Sequence, residues 1–433
     1  MKKTLNIKSI ILDNGIESTV ETIQNKENGI KFYINDFVHD NFDILGGLRK
    51  TISLDKLKVR TLSDRIYTLF NCFYTVRGSD ELYIHLIFNE IVQSNVSERN
   101  FKCNGLVIEF DKPVYPKIKE FSEDINFTID GVTIKHKVNT VKYDISFISN
   151  ELIDRDILFS YFSDYFEIIN LINGYFPTIK KMRYIIDSKK IAVENELVSK
   201  YISSDEYRKN DLAFLNNISN DIFEQAYIKY REFSKSALLQ LSMFFMSTMK
   251  KNSYVEINIV NLLQTLDGLY DKLTIFKNKI VDYCPEMNTE IIERIKTIDF
   301  SDIKEKYNSS IDINEKISSC IFRMNKISYR NKLKNIFEYD DYVIFKEEKN
   351  NTIPFIKYNS FVNKCVNSRN KFSHVADNND YLFELENTTY IFKIILVIRL
   401  LLLDEIGLGK CIDKNLLNLH IELLNDYIRR VLK

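Results

Sequence analysis

The sequence predicts an α+β protein, a β-rich part followed by an all-α part, and three observations carry that reading. Glycine and proline, which punctuate turns, are unevenly placed: eight of the 11 Gly fall at or before Gly174, and after Pro177 only Pro285 and Pro354 remain. The first part therefore holds many short elements and the second a few long ones. Apolar residues alternate with a period of two in the first part and recur every three or four residues in the second. At 433 residues the chain has room for two or three domains. The expected division is 1–205, β-rich, and 206–433, α-helical.

In the first part, Ile125 to Ile129, then Asp130-Gly131, then Val132 to Ile134 reads as a hairpin, because apolar residues alternate with a period of two around a two-residue turn that accepts positive φ. Leu82 to Phe88 and Leu106 to Phe110 read as further strands. A helix is expected over about 156–173, ended by Gly174, and a last strand over about 178–186. In the second part, Val255, Ile259, Leu262, Leu263, Leu266, Leu269 and Tyr270 form one apolar helix face. Further helices are expected over 383–406, stopped by Gly407, and over 414–432. The charged stretches 290–306 and 347–351 read as solvated faces or loops.

Composition excludes several classes of function. Sixty Lys+Arg balance sixty Asp+Glu, so no globally basic nucleic-acid binder is expected and any such surface is a local patch. Six cysteines stand apart at 72, 103, 284, 320, 365 and 411, and there are only five histidines. No metal site, and no cofactor, is expected from that set, and the thiols read as reduced and mostly buried. Phosphate-loop, nucleophile-elbow and zinc-protease motifs are absent. The Lys2-Lys3 start lacks a signal-peptide core, because Lys8 and Asp13 interrupt it. The longest apolar run, Ile394 to Leu403, holds Arg399 and is too short to span a bilayer. A cytoplasmic protein with no membrane partner is expected.

One segment carries chemistry: Asn367-Ser368-Arg369-Asn370-Lys371-Phe372-Ser373-His374. The loose pattern of an Arg, four to six residues and then a His occurs by chance roughly half a time in such a chain, but adding Asn after the Arg cuts this to roughly one in fifty. Asn370 and His374 share a helix face, whereas Arg369 lies about 140° from His374 around a regular helix. Both reach one phosphate only if Arg369 wraps around, the helix ends there, or a second subunit contributes. The alternative is a surface Arg and a solvent-facing His at a helix end. Upstream, Lys316, Arg323, Lys326, Arg330, Lys332 and Lys334 form a basic stretch with no acid, and Tyr329 is available for stacking. It reads either as a phosphate-binding surface or as a solvated helix face.

The sequence around Arg369, from Phe361 through Asp377, resembles the Apea-like HEPN family of α-helical nucleases. Asn261 to Tyr270, in which Asp267 follows a Gln-Thr-Leu run, is similar to that family's upstream helix, and Arg399 to Leu408 to its closing helix. Asp267 stands where Glu is usual, and Gly268 is a departure that weakens a helix. The β-rich part resembles the N-terminal domain of ApeA-type anti-phage proteins, and would be a sensor or substrate selector.

The resemblance implies a metal-independent endoribonuclease that acts as a homodimer through its HEPN domain, in bacterial anti-phage defence by abortive infection. It implies RNA, tRNA-like, as substrate, and a phage trigger of unknown identity. In that frame His374 is the general acid or base, Arg369 the phosphate ligand, Asn370 a positioning group, and Asp267 a candidate supporting acid that orients His374 or pairs with Arg369. Lys326, Arg330, Lys332, Lys334 and Lys371 are the candidate RNA contacts. The expected products are a 2′,3′-cyclic phosphate and a 5′-OH. A catalytically silent HEPN module that binds RNA or a protein is the other reading.

Overall fold

Isoleucine, valine and aromatic residues alternating with polar ones favour extended strands, and the computed structural model of the chain forms them throughout its first part. The structure describes residues 7–11, 17–19, 22–26, 29–33, 52–61, 63–77, 83–92, 101–110, 123–137, 144–174, 176–177, 179–186, 189–195, 214–249, 255–277, 285–307, 310–324, 327–339, 343–371, 381–382 and 389–432. It divides into two compact units, Met1–Tyr227 and Ile228–Lys433. The expected boundary at 205/206 lies outside the described residues.

The first unit contains strands β1 (Ile7–Ile11), β2 (Glu17–Thr19), β3 (Thr22–Lys26), β4 (Gly29–Tyr33), β5 (Ile52–Thr61), β6 (Ile66–Arg77) and β7 (Tyr83–Val92). They are followed by β8 (Lys102–Phe110), β9 (Ile125–Ile129), β10 (Val132–His136), β11 (Asp144–Asp154), β12 (Ile179–Ile186) and β13 (Lys189–Asn195). One antiparallel sheet joins them in the order β2-β1-β5-β6-β7-β13-β12-β8-β11-β10-β9. The β3–β4 hairpin adds to β7 over Tyr83 to Ile87, and β13 pairs β7 over Glu90 to Val92, so the two share one edge of that strand.

The expected hairpin is β9–β10. Asp130 (φ 49°) and Gly131 (φ 79°) are both left-handed, the geometry whose twist matches that of paired strands. Ile125, Phe127, Val132, Ile134 and His136 face inward. Helix α1 (Arg155–Asn173) packs on β8 and β11 through aromatic rings: Phe162 and Tyr165 meet Phe147 at 6.1 and 5.9 Å, and Phe166 stacks on Phe110. It ends where expected, because Gly174 adopts φ 80° and its N–H donates to the Asn170 carbonyl at 2.7 Å.

Under this helix His136 is buried with Nδ1 2.6 Å from the Tyr165 hydroxyl. Burial pushes its pKa down to about 4, against a weaker opposing pull from Asp124. A histidine whose folded pKa lies below its ordinary 6.5 contributes stability that is complete above that pH and is lost as pH falls toward 4. The loss should reach about 3 kcal/mol. Urea unfolding of wild type between about pH 7 and pH 4.5 should show it, and His136→Gln should flatten that part of the pH dependence.

Helix α2 (Asn220–Met249) crosses the boundary between the units, and its backbone departs from helical geometry at Ala237 (φ −118°, ψ 20°). The second unit continues with α3 (Val255–Tyr270), α4 (Pro285–Lys296), α5 (Ser301–Lys306), α6 (Ile313–Met324), α7 (Tyr329–Phe337) and α8 (Lys346–Lys349). It closes with α9 (Tyr358–Lys371), α10 (Ile391–Glu405) and α11 (Lys414–Val431). The expected helix over 255–270 is α3. The expected helix over 383–406 begins later: residues 383–388 lie outside the described residues and α10 starts at Ile391. It stops as expected, with Gly407 at φ 86° and its N–H on the Asp404 carbonyl. Helix α11 begins where the Asp413 carboxylate accepts from the amides of Asn415 and Leu416.

Helices α3, α7 and α9 pack against one another in pairs, and α10 packs on α3. The α10 helix is buried on nearly every side, which explains its continuous apolar run. It also carries the fully buried Lys393, whose Nζ lies 2.5 Å from Glu348 Oε1 and 2.9 Å from the Ile344 carbonyl oxygen. The expectation that 347–351 is a solvated stretch holds for 349–351 and is corrected at Glu348. Glu348 is as buried as its partner, because the charge it neutralises sits inside the bundle. Burial opposes both charges, pushing Lys393 down and Glu348 up, while their mutual attraction works the other way. Among the described residues no helix is long and apolar enough to cross a membrane. Cys72, Cys103, Cys365 and Cys411 are buried free thiols.

Candidate active site

Arg369 lies in the last turn of α9. The buried face of that helix is Phe361, Val362, Cys365 and Ser368, at spacings of three and four. Arg369 is one and two turns on from Cys365 and Val362, so it leaves the core at the rim where α9 meets α3 and α7, with its side chain 32% exposed. Its Nη2 donates to Asp267 Oδ2 at 3.1 Å and its Nη1 to Asn370 Oδ1 at 3.2 Å. Its Nε is buried and has no hydrogen-bond partner among the described residues. The guanidinium carbon lies 5.2 Å from the centre of the Tyr329 ring, within cation–π range.

Asp267 comes from α3, one turn after Leu263 and one turn before Tyr270 and Asp271. Of its two expected roles, the described residues show the pairing with Arg369. The carboxylate is shared: Lys332 Nζ is 3.1 Å from Asp267 Oδ1 and 2.7 Å from Asp271 Oδ2. Burial works against the Lys332 charge, but the hydrogen bonds to Asp271 and Asp267 outweigh it and hold the ammonium above its ordinary pKa.

Two further bonds lock α7 along α3 in the same direction. The Tyr329 hydroxyl donates to the Leu263 carbonyl oxygen at 3.0 Å, and Asn335 Nδ2 donates to the Tyr270 hydroxyl at 2.8 Å. Tyr329, Lys332 and Asn335 are three residues apart and therefore climb one face of α7 beside Leu263, Asp267 and Tyr270. Burial raises the Tyr329 phenol well above its usual pKa, so it acts here as a neutral donor.

Gly268, the unexpected residue of α3, has a packing reason. A side-chain carbon there would fall 2.6 Å from Gln240 Cγ of α2, so only glycine lets Gln240 lie against the helix beside Asp267. Thr265, fully buried in the same turn, directs its hydroxyl to the Asn261 carbonyl within α3.

The structure thus brings together Arg369, Asn370, Asp267 and Lys332. It does not group Lys332 with the other candidate RNA contacts. Lys332 is 12% exposed and clamped between two carboxylates, whereas Arg330 and Lys334, four residues apart, share a different face of α7. Lys371 is exposed at the end of α9, with Nζ 4.3 Å from the Tyr381 ring centre. Nearby, the Leu382 amide donates to the buried Ser368 hydroxyl at 2.9 Å, so the chain that leaves α9 at Lys371 is tied back to it at Leu382. His374 and Lys326 lie outside the described residues.

The partnership of Tyr329 and Lys332 with Arg369 was not read from sequence. The signal for it is the i, i+3 spacing of Tyr329 and Lys332 facing the i, i+4 spacing of Asp267 and Asp271. Among the described residues no group of three or more His, Cys, Asp or Glu could hold a metal ion. Chemically, the site offers a half-exposed guanidinium held in one plane by a carboxylate, an amide and a ring, an arrangement suited to an anionic oxygen.

Comparison with known proteins gives one finding. The family model described as Apea-like HEPN matches residues 260–410, a stretch that includes most of α3, all of α7, α9 and α10, and every residue of this cluster. No curated protein and no solved structure matches the chain.

Proposed function

We propose that this chain, whose residues 260–410 form an Apea-like HEPN region, is a metal-independent endoribonuclease of anti-phage defence that works as a homodimer. The observation that carries the reading is Arg369. The motif's cation lies inside the matched region at a three-helix rim, aligned by Asp267, with a second hydrogen on each Nη left over for a phosphate oxygen.

RNA supplies its own nucleophile, so the protein needs only proton transfer and charge stabilisation at phosphorus. The ribose 2′-OH loses its proton and attacks the adjacent phosphorus. The bond from phosphorus to the 5′-oxygen breaks, and that oxygen takes up a proton. His374 serves as the proton-transfer group, near neutrality by its ordinary pKa. Arg369 binds the non-bridging oxygens and stabilises the charge that accumulates on them. In a homodimer the two copies of His374 divide the roles of base and acid. Arg330, Lys334, Lys371 and Lys326 hold the RNA backbone, which a local patch on a neutral protein can do. The defence role by abortive infection, the tRNA-like substrate, the cytoplasmic location and the sensing role of the β-rich part follow from the resemblance.

One substrate change and one metal removal test the chemistry. Purified protein given an RNA with a single 2′-deoxy nucleotide at the mapped cleavage position should fail to cut there, and a chelator should leave cleavage of the all-ribose RNA unchanged. Cleavage of the deoxy substrate, or an absolute need for divalent metal, overturns the proposed mechanism.

A further inference from the structure

We infer that Tyr329 and Lys332 are positioning residues for Arg369: the ring fixes the plane of the guanidinium, and the ammonium shares Asp267 so that the carboxylate aligns Arg369 without cancelling its charge. The inference rests on the RNA-cleaving reading of Arg369 and assigns roles to two side chains of α7, a helix outside the Arg-Asn…His motif.

An arginine whose only strong partner is one carboxylate forms a neutral pair, and a phosphate must then compete with that carboxylate. Here Asp267 divides its two oxygens, Oδ2 to Arg369 and Oδ1 to Lys332, each at 3.1 Å. The three groups together keep one positive charge. Asp271, the second partner of Lys332 at 2.7 Å, is 62% exposed; with it two cations face two carboxylates, and removing Lys332 leaves Arg369 alone against both. Asp267 is 25% exposed and is the carboxylate through which the two cations communicate.

Tyr329 adds direction. Its hydroxyl is tied to the Leu263 carbonyl, so the ring cannot swing away, and one ring face is covered by the guanidinium. That placement leaves this face closed to a stacked base, and the ring's role is under Arg369 rather than under RNA. Lys332, for its part, is held between carboxylates instead of facing an open surface.

A purely structural role, as a clip between α3 and α7, makes different predictions. Lys332→Met should lower kcat/KM for RNA about tenfold, chiefly through KM, because the freed Asp267 now neutralises Arg369. Adding Asp267→Asn to that variant removes the opposing charge and should restore most of the loss. A clip would lose more, not less, when its second half is removed, so failure of the double variant to recover overturns the charge-sharing role. Tyr329→Leu should cost about tenfold, and Tyr329→Phe, which keeps the ring, no more than about threefold. Equal losses in those two variants overturn the platform role.

The Arg369 Nε–H resonance, assigned through Arg369→Lys, gives a readout independent of cleavage. It should shift in Tyr329→Leu and exchange faster with water in Lys332→Met, with the unfolding midpoint retained. An unchanged resonance in both variants overturns the inference. Absence of RNA cleavage by wild type would instead remove the proposed function, while the resonance still decides whether α7 positions Arg369.

Discussion

Arg369→Ala is expected to lower the rate of RNA cleavage by about 10²–10³-fold, the usual effect of removing one preorganised donor to a developing oxyanion. Arg369→Lys should recover little of it. A lysine brings the charge but not the planar fork, and it cannot present one edge to Asp267 and a second hydrogen pair to a phosphate. Neither change should unfold the protein. With Arg369 gone, Asp267 keeps Lys332 as its partner at 3.1 Å, so no carboxylate is left buried without a counter-charge. Urea unfolding should therefore shift by no more than about 1 kcal/mol. A large stability loss in Arg369→Ala would mean that the residue holds the helices together rather than serving a substrate. Single-turnover cleavage rates, measured beside urea unfolding of the same preparations, separate the two.

The largest effect on stability is expected at Lys393. Its ammonium and the Glu348 carboxylate are both 0% exposed, and the rings of Phe345, Phe355 and Tyr390 lie 5.5, 5.2 and 5.9 Å from Nζ. Among the described residues Glu348 Oε2 is buried without a hydrogen-bond partner, so the carboxylate depends on Lys393 for its compensation. Lys393→Met fills similar space but leaves Glu348 charged or forces it to take up a proton inside the bundle. The expected cost is about 3–5 kcal/mol. Adding Glu348→Leu should return most of it, because replacing both members of a buried pair with apolar groups is often neutral or better. Denaturation of the single and double variants checks this. A double variant as unstable as Lys393→Met would show that the ion pair itself, and not the stranded charge, holds α8 to α10.

Some of this architecture was legible because the information is local. Asp130-Gly131 announces a turn that accepts positive φ, and Gly174 and Gly407 announce left-handed helix ends. The Arg369 motif stood out as a candidate for the same reason, since all its letters lie within eight residues, with His374 outside the described residues. What escaped the sequence joins positions far apart. Lys393 and Glu348 are 45 residues apart, and each looks ordinary alone: a lysine near the start of an apolar helix and a glutamate in a charged run. Lys332 sits in a basic stretch that invites a nucleic-acid reading, yet its partners are on α3, 61 residues back for Asp271. Gly268 looked like a flaw in α3 until Gln240 of α2 was found against it. Pairings of this kind are decided by which helix faces which, and periodicity within one helix carries no record of its neighbour.

In the proposed reaction Arg369 and His374 together cleave RNA by way of its 2′-OH. The most direct measurement is end-chemistry mapping of total cellular RNA after expression of wild type, Arg369→Ala and His374→Ala, with and without phage infection. Discrete cuts bearing 2′,3′-cyclic phosphate and 5′-OH ends are expected in wild type alone. Intact RNA in all three, with each protein folded and phage restriction still in force, would contradict the proposed reaction and assign the helical unit to binding rather than catalysis.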